Sequence, residues 1–182
     1  MIGSIKIRPG ESILVHAAAG GVGSLAVQMA QAAGARVLAT CRKSNKEFVL
    51  SLGADVAIDY RAEDFVKAVL RATDGQGVEA VYDTVGGDVL AQSIKVMRPY
   101  GRMVSIANTT GDLNGAYIKN LSIYFGFMER ARHKLDALRI MAERGQLRPV
   151  IDSQLPLNQV AAGHERMEEG GLKGKIVLKV RE

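Results

Sequence analysis

The chain has 182 residues, 47% of them hydrophobic, and a formal net charge of +5. That length suits one domain of ordinary size with room for a small appendage, and that apolar share argues for a packed core over disorder. No apolar run reaches the roughly 18 to 20 residues of a membrane span. The opening "MIGSIKIRPGES" lacks the apolar stretch of a secretory leader, and a single cysteine excludes an internal disulfide framework. The expected setting is therefore cytoplasmic, with no membrane partner. The positive charge is mostly interleaved with acids, as in "MERARHKLDALRIMAERGQLR", which reads as a solvated helix face. Aromatics are few and Trp is absent, so there is no base-stacking platform and nucleic acid is not expected as a partner.

In chain order, Ser12–Ala17 ("SILVHA") is a short apolar run bounded by "RPGE" and by glycines, the pattern of a buried strand. Residues 21–33 have helical spacing with Val22, Leu25, Ala26 and Met29 on one side, ended by Gly34. Strands are expected at Val37–Thr40, Val56–Asp59, Val78–Asp83 and Met103–Ala107, the last preceded by a turn at "RPYGR". Helices are expected between them at Asn45–Leu52, Asp64–Thr73 and about Asp88–Met97. Strand and helix alternate with short connections, so the expected fold is α/β, a doubly wound parallel sheet with helices on both faces. Beyond Asn108 come the loop "TTGDLNGAY", a sixth strand within "LSIYFGF" and a strongly periodic helix at Arg130–Arg144. The tail holds "PVIDSQLPL", a short helix around Val160–Met167, the loop "EEGGLKG" and a last strand "KIVLKV".

The segment Ala18–Gly23, "AAGGVG", stands between the first strand and a helix of period 3.6. There a pyrophosphate can sit on the helix amino end, where unpaired N–H groups and the helix dipole favour negative charge. Gly20 and Gly21 allow close backbone approach, and Gly23 lets helix pack on strand. The first glycine of the usual G-x-G-x-x-G is here Ala18. No G-K-S/T closes the turn, which excludes a nucleoside triphosphate loop.

After the second strand, NAD-binding proteins often carry an acid that accepts hydrogen bonds from the ribose hydroxyls; that acid would repel the 2′-phosphate of NADP. In its place stand Arg42, Lys43 and Lys46, with Ser44 as a hydroxyl donor. The ligand this pattern calls for is NADPH or NADP⁺. A solvated basic turn in a domain that binds NAD, or no dinucleotide, is the alternative.

The run "RPGESILVHAAAGGVGSLAVQMAQAAGARVLAT" resembles the cofactor domain of the medium-chain dehydrogenase/reductase superfamily. Within it, "HAAAGGVG", "LGADVAIDY", "YDTVGG", "PYGRMVSIA" and "GKIVLKV" resemble the zinc-independent quinone oxidoreductase branch. The resemblance implies a six-stranded Rossmann-type sheet and a role for each matching residue. Gly20, Gly21 and Val22 match the pyrophosphate turn. Lys46 matches the lysine, and Tyr60 the tyrosine, near the 2′-phosphate. Val85 and Gly86 lie on the ribose path, while Ile106, Ala107, Asn108, Phe125 and Phe127 flank the nicotinamide. Each has a plainer alternative: a surface strand cap for Tyr60, ordinary core for Val85 and Ile106, packing or dimer contacts for the two phenylalanines. Cys41 reads as a small buried residue, and His16 as a core histidine inside the first strand. His133 and His164 lack metal-ligand spacing, so no metal site is expected.

Full-length members of this family begin with another domain that builds the substrate pocket, whereas this chain starts almost directly at the cofactor domain. The resemblance thus divides the chain into an NADP(H)-binding domain, 1–150, and a segment, 151–182, belonging to an otherwise absent GroES-like substrate domain. It further implies hydride transfer from NADPH to a quinone or enone, and a homodimer through the sixth strand. No Ser–His–Asp set or paired carboxylates offer catalytic residues, so the chain alone is expected to bind cofactor with little turnover. An enoyl reductase module of polyketide or fatty-acid synthesis and a non-catalytic nucleotide-sensing module are the competing expectations.

Overall fold

The computed structural model describes residues 5–181; residues 1–4 and 182, the two ends of the expected division, lie outside it. Strands β1 (Ser12–Val15), β2 (Arg36–Cys41), β3 (Val56–Asp59), β4 (Val78–Asp83), β5 (Met97–Ser105) and β6 (Ser122–Phe125) form one parallel sheet. Their order is β3-β2-β1-β4-β5-β6. This is the doubly wound sheet expected from the alternation of elements, of the six-stranded Rossmann type that the resemblance implies. The direction of winding reverses between β1 and β4, so a crevice opens at the carboxyl ends of these strands.

Side chains of a strand alternate between faces, and both faces of this sheet are covered. Ile13, Val15, Val37, Ala39 and Ala80 pack on one side with Val27 of helix Gly23–Ala32 and Val49 of helix Lys46–Ser51. Leu14, Leu38, Val81 and Met103 pack on the other with Val69 of helix Phe65–Ala72 and Leu90 of helix Val89–Ser93. Burial on both sides explains why the strands read as continuous apolar runs. Asp64 caps its helix by accepting the Val66 N–H at 2.7 Å, as a carboxylate at that position does.

The structure departs from the sequence expectations in several places. The helix after the first turn spans Gly23–Ala32 and buries Gly23, Ser24, Ala26, Val27, Gln28 and Ala30, leaving Val22 exposed. Small residues let this helix lie close to the sheet, so the buried face is rotated from the expected Val22-Leu25-Ala26-Met29 stripe. His16 lies just past β1, in the turn, though buried as expected. "RPYGR" is no turn: β5 runs through it, with a bulge against β4 between the Val78–Met97 and Ala80–Arg102 pairs. Pro99 has no N–H for the ladder, and Tyr100, at φ +63°, turns its N–H to the Lys119 carbonyl. Last, "TTGDLNGAY" ends in a helical turn, Gly115–Ile118.

Beyond β6, helix Arg132–Glu143 buries none of its residues. The tail forms a parallel pair, β7 (Ile151–Pro156) and β8 (Lys175–Lys179), joined through helix Val160–Glu169. Hydrogen bonds tie it to the elements of the main sheet. The Gln28 amide exchanges hydrogen bonds with the Arg148 backbone, and the Gly174 N–H donates to the Ala19 carbonyl at 2.7 Å.

Candidate functional site

The glycine-rich turn leaves β1 through His16 and Ala17 and reaches the helix at Gly23. A side chain at Gly23 would place its Cβ 2.2 Å from the Ala17 carbonyl oxygen, so the close approach of helix to strand requires glycine there. Among the described residues no side chain caps this helix and none in its first turn is acidic, which leaves its positive end open to an anion. Over this turn lies a residue the sequence reading missed. Gly174 bridges to Gly20, and the Lys175 side chain occupies the space beside Gly21, where a Cβ would come within 2.9 Å of Nζ. Nothing local marks a lysine at the start of a tail strand as anything other than solubilising; only the folding-back of 174–175 brings its ammonium to the first turn.

The second turn, Lys43–Asn45 and the start of helix Lys46–Ser51, borders an open depression of about 800 Å³. Arg42, Lys43, Ser44 and Lys46 line it, as expected, together with Glu47, Asp59 and Arg61. Asp59 and Arg61 arrive from β3 and are spatial neighbours only because β3 pairs with β2, Cys41 opposite Asp59. An acid thus does reach this corner, by way of β3 and not β2. Asp59 is buried and its Oδ1 accepts the Arg61 N–H at 3.1 Å. Four cations face two carboxylates, so the depression is net positive. Tyr60, between those two residues, is 47% exposed and lies outside this lining.

Arg42 is partly engaged. It donates from Nη1 to the Glu169 carbonyl at 3.1 Å and lies against Gly170 and Gly171; a Cβ added at Gly170 would collide with it. Asn45 donates to the Gly171 carbonyl at 3.1 Å. A guanidinium has five N–H donors, so Arg42 keeps the capacity to meet an anion. Cys41 beneath this turn is buried and free; burial pushes its thiol up, with the Lys46 ammonium opposing.

At the other end of the crevice, Asp83 is fully buried and its carboxylate accepts from the Val85 and Gly86 N–H groups and the Ser105 hydroxyl. These bonds hold the "TVGG" loop against the end of β5. Gly86 packs on Ala107 and Asn108, and the Gly87 N–H donates to the Asn108 carbonyl at 2.7 Å. Ile106, Ala107, Asn108, Phe125 and Phe127 line a second depression of about 400 Å³. Val85 and Ile106 are 52% and 41% exposed, which disposes of the ordinary-core alternative for both. Phe127 lies past the end of β6 and is 95% exposed, so it does not alternate with Phe125 on a strand.

Apart from Tyr60, the expected residues therefore fall into three groups along one sheet edge: Gly20–Val22 at the first turn, Arg42, Ser44 and Lys46 at the second, and Val85, Gly86, Ile106–Asn108, Phe125 and Phe127 beyond β4 and β5. A model of the zinc-binding dehydrogenase family matches residues 52–178. The chain belongs to the medium-chain dehydrogenase/reductase superfamily, in its quinone oxidoreductase-like branch. It is 33% identical to a quinone oxidoreductase of Pseudomonas aeruginosa, over 95% of this chain and 58% of that protein. The quinone oxidoreductase of Coxiella burnetii superposes with a TM-score of 0.86 at 33% identity, covering 99% of this chain and 56% of that one. An NAD-dependent alcohol dehydrogenase superposes with a TM-score of 0.90 at 33% identity, covering 99% of this chain and 54% of that one. The chain thus spans little more than half the length of these relatives. Zinc, which the family's description implies, finds no donor set: no group of three or more His, Cys, Asp or Glu able to hold a metal occurs among the described residues. Nor is any helix among them long and apolar enough to cross a membrane.

Proposed function

We propose that this chain is the NADPH-binding part of a cytoplasmic oxidoreductase that reduces a quinone or an activated double bond. The observation that carries the cofactor choice is the net positive depression at the second turn, where Lys43, Lys46, Arg61 and the free donors of Arg42 would meet a 2′-phosphate. In this reading Gly20, Gly21 and Val22 hold the pyrophosphate on the helix amino end, with Lys175 supplying a further cation. Val85 and Gly86 border the ribose, and Ile106, Ala107 and Asn108 hold the nicotinamide. Phe125 and Phe127 would give it an apolar wall that excludes water. The bound nicotinamide supplies the hydride; no residue of this chain is proposed as catalytic.

Residues 1–150 would form the dinucleotide domain and 151–182 would belong to a substrate domain. Copies would associate through β6, whose Tyr124 and Phe125 are exposed.

Titration of the purified chain with NADPH and NADH at two salt concentrations tests this. Tighter binding of NADPH, weakening with salt as screened charge pairs do, supports the reading. Lys46→Ala should then weaken NADPH about tenfold while changing NADH little, a charge-assisted hydrogen bond being worth about 1.5–3 kcal/mol. Asp59 favours a second reading, NADH, since a buried carboxylate at this corner can accept from ribose hydroxyls. Equal or better binding of NADH would select it.

A further inference from the structure

Past β1 the turn begins with a strained residue, Ala17, at φ +50°, a region that side chains other than glycine seldom occupy. Its carbonyl closes the turn by accepting the Gly20 N–H at 3.0 Å and is the oxygen against which Gly23 packs. Whatever holds Ala17 therefore sets the whole turn.

The Ala17 N–H donates to the Thr40 hydroxyl at 3.2 Å. That hydroxyl lies 3.2 Å from His16 Nδ1, and His16 Nε2 lies 2.9 Å from the Ser93 hydroxyl. Ser93 in turn donates to the Val89 carbonyl at 2.7 Å. One end of this chain of bonds can only donate and the other can only accept. With a neutral ring, all four bonds form together in a single direction: Ala17 N–H to Thr40, Thr40 O–H to Nδ1, Nε2–H to Ser93, and Ser93 O–H to Val89. His16 is 2% exposed, and the Phe65 ring meets its imidazole edge-on at 4.9 Å. Its backbone is pinned as well, by the Tyr82 carbonyl and the Thr84 hydroxyl.

We propose that His16, as the Nε2–H tautomer, is a positioning residue that works through Thr40 to hold Ala17, and with it the glycine-rich turn, in the conformation that receives the pyrophosphate. The proposal rests on the dinucleotide reading above. It assigns work to a histidine that sequence alone places in the core, and it links the first turn to β2 and to the helix after β4.

The test uses the wild-type chain, Thr40→Val, Thr40→Ser and His16→Gln, titrated with NADPH and with adenosine 2′-monophosphate, which lacks the pyrophosphate. Thr40→Val should weaken NADPH about tenfold and adenosine 2′-monophosphate less than about twofold, since one buried donor loses its acceptor. It should also speed hydrogen exchange of the Ala17 amide. Thr40→Ser restores both, and His16→Gln, with one donor and one acceptor, retains most of the affinity. Equal weakening of the two ligands, or an Ala17 amide that exchanges no faster, overturns the proposal. Should Thr40→Val fail to fold, ¹⁵N chemical shifts of the wild-type imidazole decide: Nδ1–H overturns the relay, Nε2–H upholds it. A wild-type chain that binds neither ligand sinks the dinucleotide reading instead, and the relay then stands or falls on the tautomer and the amide exchange.

Discussion

Gly23→Ala is expected to destabilise the chain by about 2 kcal/mol, although the residue begins a helix. Alanine for glycine inside a helix ordinarily stabilises by about 0.5–1 kcal/mol. Here the new Cβ would stand 2.2 Å from the Ala17 carbonyl oxygen and 2.8 Å from the Ala18 Cα. Both obstacles are backbone and cannot rotate away, and forcing extra atoms into a packed site costs about 1–3 kcal/mol, sometimes more. The clash outweighs the helical gain, and because it pushes on Ala17 the dinucleotide turn opens with it. Gly20→Ala serves as the comparison: its Cβ would lie 3.3 Å from the same oxygen, a contact that a small shift relieves. Urea unfolding of the two variants checks the contrast. A Gly23→Ala chain as stable as wild type would mean that the helix stands farther from β1 than described.

The second large effect is on acid stability. Burial pulls the His16 imidazole down to about 4 from the ordinary 6.5, with the Asp83 carboxylate opposing. The folded state thus favours the neutral ring more than the unfolded chain does. Stabilisation from this group is fully present above pH 6.5 and drains away as pH falls towards 4. A proton on Nδ1 also removes the acceptor that takes the Thr40 hydroxyl. At about 1.4 kcal/mol per pH unit, the whole window is worth about 3 kcal/mol. Carboxylates as a class ordinarily ionise near the lower end of this range, so the informative quantity is a difference: between pH 7 and pH 4 the wild-type chain should lose about 3 kcal/mol more than His16→Gln, which cannot take up the proton. Parallel pH profiles for the two chains would show that His16 does not titrate with folding.

Much of the architecture could be read from residue order. Short apolar runs such as "SILV" and "VEAVYD", separated by helical periods and turn glycines, dictate alternating strands and helices, because both elements bury local patterns of fixed period. Arg42, Ser44 and Lys46 were legible for the same reason: they follow directly on a strand whose end marks the sheet edge. The glycine-rich turn was legible from its place between strand and helix.

What tertiary structure alone decided are the neighbours contributed from far along the chain. Asp59 and Arg61 face the second turn only because β3 lies beside β2, and Lys175 reaches Gly21 only because the tail folds back through Gly174. Lys175 stands 154 positions beyond Gly21, and no local period encodes such a meeting. His16 makes the same point from the other side. Its burial was foreseeable from an apolar strand, but its partners Thr40 and Ser93 come from other strands and helices. A hydrogen-bond chain has no sequence signature, since its members are joined through space by the packing of the sheet.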